Sequence, residues 1–129
     1  VIFLDTSAIY ALADRGDPNH VQAREKFEAI VKSNVPFLLH DYVLLESIAL
    51  VQSRLGHAAA IRFAKESRSF RIVWVDELLY DRAIRAWSRR TSGRVSLVDQ
   101  VSFEVMREND VHMALAFDQD FAREGFEVY

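Results

Sequence analysis

The chain contains no cysteine. Disulfides and thiolate metal sites are therefore excluded, and a reducing, cytoplasmic setting is expected. Two prolines and four glycines leave little room for linkers or low-complexity tracts. No apolar run is long enough to span a bilayer, so no membrane association is expected. Val1-Ile2-Phe3-Leu4 runs directly into Asp5 with no basic leader, so no signal peptide is expected either. The four histidines, His20, His40, His57 and His112, show no HxxxH or HxH spacing, which argues against zinc. Excess positive charge is also missing, since the formal net charge is -3. That counts only mildly against a nucleic-acid binder, because an acidic metal nuclease carries its compensating charge as bound cations.

Half of the 129 residues are hydrophobic, which suits one domain, 1–129, with a real core. Short apolar runs alternate with helical patterns. Strands are expected over Val1 to Leu4, Pro36 to Leu39, Arg71 to Val75 and His112 to Phe117, with an edge strand over Phe126 to Tyr129. Helices are expected over Thr6 to Ala13 and His20 to Lys32, the latter opened by Asp17 and Pro18. Further helices are expected from an Asp41 cap to Leu55, where Gly56 stops the run, and over His57 to Lys65. Asp76 caps a helix to about Arg90, Ser96 opens one to about Arg107, and Asp118 to Glu124 forms a short one closed by Gly125. This alternation predicts an α/β fold with a parallel sheet covered on both faces.

In such sheets, sites form at the carboxyl ends of the strands. Asp5 and Asp118 each follow an apolar strand. Glu46 falls in the second turn of the helix after strand two, and Asp99 in the first turn of a later helix. All four can reach one rim. Each also has a plainer explanation. Asp5 and Asp118 are suited to cap the next helix. Ser96-Leu97-Val98-Asp99 matches a capping box. Glu46 is suited to pair with a distant arginine. Convergence is what separates the two explanations, because caps have no reason to meet. Unpaired carboxylates beside apolar runs are costly, and a divalent cation is the usual resolution.

The segments IFLDTSAIYAL, HDYVLLESIALVQSRLG, SLVDQVSFEVMREND and ALAFDQDFAREGF together resemble a PIN-domain ribonuclease. The likeness is specifically to the toxin subunit of a VapBC-type toxin–antitoxin pair, and it covers nearly the whole chain. The resemblance implies a three-layer α/β/α sandwich around a central parallel sheet. It implies an endoribonuclease dependent on Mg²⁺ or Mn²⁺, with Asp5, Glu46, Asp99 and Asp118 as catalytic metal ligands. Asp120 is a further candidate ligand, and Thr6, Ser7 and Ser96 are supporting hydroxyls. A homodimer and a cognate antitoxin that blocks the acidic site are implied as well. His40 stands near where many relatives carry Thr or Ser just before the helix bearing Glu46, a position expected to touch the substrate side and not the metal site. The chain opens at Val1, so a native N-terminal residue or extension is expected to precede it.

In this reading hard oxygen ligands hold the cation, which polarises the scissile phosphate and acidifies water, so no Ser or His nucleophile is needed. Arg82, Arg85 and Arg89 share a helix face by spacing, and Arg94 extends the basic stretch toward Asp99. They are candidate RNA contacts, set against an ordinary solvated face. Arg62, Lys65, Arg68 and Arg71 form a second basic set. Trp74 and Trp87 are expected in the core. Rival readings are a stand-alone or non-catalytic PIN-domain RNA-binding protein and an aspartyl-phosphate phosphatase. The phosphatase wants a second Asp where Ser7 stands. A phosphoacceptor receiver domain wants paired acids where Leu4-Asp5 stands.

Overall fold

The computed structural model describes residues 1–129. Five strands, β1 (Ile2–Leu4), β2 (Phe37–His40), β3 (Arg71–Val73), β4 (Met113–Leu115) and β5 (Glu127–Val128), form one sheet. Their order is β3-β2-β1-β4-β5, and every pairing is parallel. Seven helices connect them: α1 (Thr6–Ala13), α2 (His20–Lys32), α3 (Asp41–Leu55), α4 (His57–Glu66), α5 (Glu77–Ser88), α6 (Leu97–Glu108) and α7 (Asp120–Arg123). Helices α1 to α4 pack on one another and α5 packs on α6. Every residue of β1 and β2 is buried. That is why these strands read as continuous apolar runs instead of alternating ones. The sheet is thus the middle layer of three, and its core is one cluster of buried residues that includes Phe3, Phe103 and Phe121.

Several elements are shorter than their sequence patterns predict, and hydrogen bonding explains where they stop. β3 ends at Val73 because Val75 donates its N–H to the Asp41 carboxylate at 2.9 Å, away from the ladder. β4 ends at Leu115, and the Phe117 N–H goes to Ser7 Oγ at 3.0 Å. Pro18 does not open α2. Asp17 accepts from Asn19 N at 2.8 Å in a side-chain turn, and the helix starts at His20. α5 stops at Ser88, and α7 spans only Asp120–Arg123. The tryptophan expectation fails too. Trp74 lies just past β3 and is 72% exposed, while Trp87 is 40% exposed with its indole N–H bonded to Val95 O.

The cap of α3 is His40, not Asp41. Its Nδ1 accepts from Tyr42 N at 3.2 Å and from Val43 N at 3.3 Å. Its Nε2 meets Ser102 Oγ of α6 at 2.9 Å, and Ser102 Oγ donates in turn to Val98 O at 3.0 Å. Since Nδ1 accepts and the Ser102 proton is spent on Val98, the ring is neutral and donates from Nε2. His40 is fully buried, so it is not a substrate-side contact. It ties the start of α3 to the second turn of α6. Burial pushes its pKa down to about 3.

The unfolded chain therefore takes up a proton on His40 that the folded chain refuses. This contribution to stability is full above about pH 6.5 and is lost as pH falls toward 3, by about 1.4 kcal/mol per unit at most. His40→Asn keeps a capping oxygen but cannot titrate. Chemical denaturation between pH 4 and 7 should show it less stable at pH 7 and with a smaller loss toward pH 4. Parallel profiles for the two proteins would remove His40 from the acid response.

Candidate metal centre

Asp5 follows β1 directly and caps α1. Its Oδ2 accepts from Ser7 N at 3.1 Å and from Ser7 Oγ at 2.6 Å. Because Ser7 Oγ also accepts from Phe117 N, one hydroxyl joins the carboxyl ends of β1 and β4. Burial raises the Asp5 pKa, the Ser7 and Thr6 hydrogen bonds oppose that, and the charge of Asp118 adds to it. Thr6 Oγ1 is buried beside it and has no hydrogen-bond partner in the protein.

Asp99 sits in the first turn of α6. The cap of that helix is Ser96 Oγ, which accepts from Asp99 N at 3.0 Å. Capping therefore uses the serine side chain and the aspartate backbone, and leaves the Asp99 carboxylate for other work. Burial, then the charges of Asp5 and Asp118, push its pKa up to about 7, against a lowering bond from Ser96.

Asp118 and Asp120 lie on the turn into α7. Asp118 Oδ1 accepts from Asp120 N at 2.8 Å. Oxygens of Asp99, Asp118 and Asp120 all lie within 4.8 Å of one another. Asp120 is the buried member, at 6% exposure, and faces two guanidinium groups. Arg123 NH1 lies at 3.3 Å from its Oδ1 and Arg94 Nε at 3.7 Å.

The structure thus brings Asp99, Asp118 and Asp120 together, with Asp5 close enough to couple to Asp99 and Asp118 electrostatically. Glu46 is not in this group. It is exposed on α3, one residue from the buried Ser47. The basic track is also rearranged. Arg82 is paired with Glu108 at 3.2 Å. Arg90 is turned inward, bonded to Gln100 Oε1 at 2.6 Å and to Glu124 at 2.8 Å. Arg85 and Arg89 are exposed. Two features had no clear trace in the sequence. They are the His40–Ser102 link, whose only signal is a histidine at a strand-to-helix junction, and the Arg90–Gln100–Glu124 network, whose residues are far apart in the chain.

The donor set fits a hard divalent cation: carboxylate oxygens only, converging, with one member reluctant to ionise in the absence of a counter-charge. Comparison with known proteins points the same way. A PIN domain model matches residues 2–127. The 23S rRNA-specific endonuclease VapC20 of Mycobacterium tuberculosis is 35% identical over 130 residues, covering 98% of this chain and 95% of the relative. A crystal structure of VapC20, described as a sarcin-ricin loop cleaving toxin, matches with a TM-score of 0.86 at 34% identity, over 98% of this chain and 96% of that one. A Pyrobaculum aerophilum protein shares the fold, with a TM-score of 0.63 at 21% identity over 99% and 89% of the two chains. The chain belongs to the PIN-domain family.

Proposed function

We propose that this chain is a divalent-cation-dependent endoribonuclease, the toxin of a toxin–antitoxin pair, acting on a structured ribosomal RNA loop. The observation that carries the reading is the convergence of Asp99, Asp118 and Asp120 beside buried Asp5 at one rim. The activity in the relative's name supports the choice of RNA. Asp5, Asp99 and Asp118 would hold the cation, Mg²⁺ or Mn²⁺, with Asp120 as a further ligand; Glu46, exposed on α3 outside this group, is a candidate ligand that cleavage by Glu46→Gln decides. The bound ion supplies Lewis-acid polarisation of the phosphate and an acidified water for in-line attack. Ser7 fixes the Asp5 carboxylate, and Ser96 fixes the backbone that presents Asp99. Asp99 holds its proton to near neutrality in metal-free protein and would have to give it up to serve as a ligand, because ligand oxygens must be ionised to bind.

Residues 1–129 serve as one nuclease unit in the cytoplasm, as a homodimer silenced by a cognate antitoxin. The exposed apolar side chains Leu45, Trp74 and Leu78, at 68%, 72% and 73%, support a partner surface on the elements that follow β2 and β3. No helix is long and apolar enough to cross a membrane.

EDTA should abolish cleavage of a sarcin–ricin stem–loop RNA, and Mg²⁺ or Mn²⁺ should restore it. Undiminished cleavage in excess chelator sinks the metal reading. Glu46→Gln in the same assay decides whether Glu46 belongs to the site, since full activity would remove it.

The roles of the acids differ. Asp118→Ala should lose more activity than Asp120→Ala at saturating Mg²⁺, because Asp120 is partly neutralised by two arginines and Asp118 is not. The reverse order would make Asp120 the principal ligand of the turn.

Asp99 also has a stability signature. Its folded pKa, near 7, exceeds its unfolded value, so in metal-free protein its contribution is full below about pH 4 and is lost as pH rises through 7. Asp99→Asn should therefore abolish cleavage yet stabilise metal-free protein at pH 7.5, by about 1–2 kcal/mol once solvent screening of the half-buried group is allowed for, read by denaturation in EDTA. A loss of about 1 kcal/mol with activity intact would reassign Asp99 to capping.

A further inference from the structure

The segment 89–95 joins α5 to α6 and leads into the turn that presents Asp99. It encloses an open cavity of about 280 Å³, lined by Arg89, Arg90, Thr91, Ser92, Arg94 and Val95. Only Val95 is apolar, and there is no carboxylate in the lining. The walls are pinned. Trp87 Nε1 donates to Val95 O at 2.9 Å, Ser92 Oγ accepts from Arg94 N at 3.2 Å, and Arg90 is anchored to Gln100 and Glu124. Two guanidinium groups lack a close hydrogen-bonded carboxylate. Arg89 is exposed and has no carboxylate partner. Arg94 is 60% exposed and its one carboxylate, Asp120, is 3.7 Å away, beyond a good hydrogen bond.

We propose that this cavity is a subsite for a backbone phosphate of the RNA adjacent to the scissile one, and that a cation engaging Asp120 would loosen its 3.7 Å contact with Arg94 and leave that guanidinium wholly to the phosphate. The inference rests on the ribonuclease reading and specifies how that site grips its substrate. Arginine forks suit phosphate oxygens, and the two hydroxyls of Thr91 and Ser92 add neutral donors. Position follows from Asp120. It belongs to the acidic group and also contacts Arg94, so a phosphate on Arg94 neighbours one at the cluster. Timing follows from charge. Asp120 has a limited number of oxygens, and a divalent cation competes with Arg94 for them. Before the cation binds, the rim is acidic and repels RNA. Afterwards the repulsion falls and the contact between Asp120 and Arg94 loosens in the same event. Arg123, closer to Asp120 at 3.3 Å and on the same helix, remains to orient the carboxylate. The grip is thus the loop, not the α5 face, where Arg82 is already held by Glu108.

The test is equilibrium binding of a sarcin–ricin stem–loop RNA, confirmed uncut, over a salt series in EDTA and in Ca²⁺. Arg94→Gln should bind several-fold more weakly than wild type in Ca²⁺, with a log–log salt slope shallower by about 0.7 to 0.9, and should differ little in EDTA. Arg94→Lys should recover part of the affinity. Arg89→Gln should weaken binding in both conditions, because no carboxylate restrains it. Lys32→Gln, on the exposed end of α2, is the charge-matched control and should change nothing. Asp120→Asn should raise affinity in EDTA more than Asp118→Asn does, since each removes one charge but only the first frees Arg94. Melting temperatures confirm that each variant is folded. An unchanged affinity and slope for Arg94→Gln in Ca²⁺ overturns the subsite. An equal loss in EDTA and Ca²⁺, or equal gains for the two aspartate variants, overturns the restraint by Asp120. Absence of any cation-dependent cleavage by wild type instead overturns the ribonuclease reading on which the subsite stands.

Discussion

Repulsion among carboxylates at one edge of the sheet is the constraint that the rest of the site answers. Asp99, Asp118 and Asp120 bring oxygens within 4.8 Å, and Asp5 is buried beside them. Two unit charges at that separation repel by on the order of 3 kcal/mol at the effective dielectric of a protein surface. A helix cap offsets about 1 kcal/mol. Caps alone therefore cannot account for the gathering. The chain relieves the strain in two other ways. Asp99 stays protonated to near neutrality. Asp120 takes guanidinium partners. Both are arrangements that a divalent cation at this group would replace.

Holding mutually repelling groups in place requires a stiff frame, and the frame is built from neutral contacts. Ser7 bonds to the Asp5 carboxylate and to the backbone beyond β4. Ser96 anchors the first turn of α6. His40, uncharged, locks α3 to α6. Neutral donors beside Asp5 and Asp99 would not compete with a cation there; Asp120 alone of the group has arginines next to it. Arg90 and Arg107 pair instead with Glu124, which is not one of the clustered acids.

The fold was legible because its central strands are buried on both faces and so appear as uninterrupted apolar runs. Ile2-Phe3-Leu4 and Phe37-Leu38-Leu39 could only be interior. Strand ends were less legible. Trp74 and Val75 have full β character, yet Val75 spends its N–H on Asp41, a contact 34 residues distant. Trp74 shows the same limit from the other side, since an aromatic residue in a strand-like run carries no mark of which face remains uncovered. Among site residues, Asp5 and Asp99 stood out by position against apolar runs. Glu46 carried the same kind of signal, and the structure leaves it exposed and apart from the three. Asp120 seemed secondary because it lies beyond Asp118, but burial in the turn makes it a full member of the group.

The difficulty of telling caps from ligands has a physical origin. α1, α3 and α6 all begin at the carboxyl edge of the sheet, and each is capped there by a side-chain acceptor: Asp5, His40 and Ser96. Helix N-termini carry unpaired N–H groups and a partial positive charge, worth about 0.3–1 kcal/mol to a nearby anion. A carboxylate placed at such an end is stabilised whether or not it later binds an ion. The parallel α/β arrangement therefore makes acidic residues locally acceptable at the edge where they also converge. The two such termini that bear site acids, Asp5 on α1 and Asp99 on α6, lighten the repulsion without cancelling it, since together they give at most about 2 kcal/mol. Protonation of Asp99 and the arginines beside Asp120 take up part of the remainder. The fold can concentrate negative charge to this degree because its own helix ends favour each charge singly while leaving the group under-neutralised.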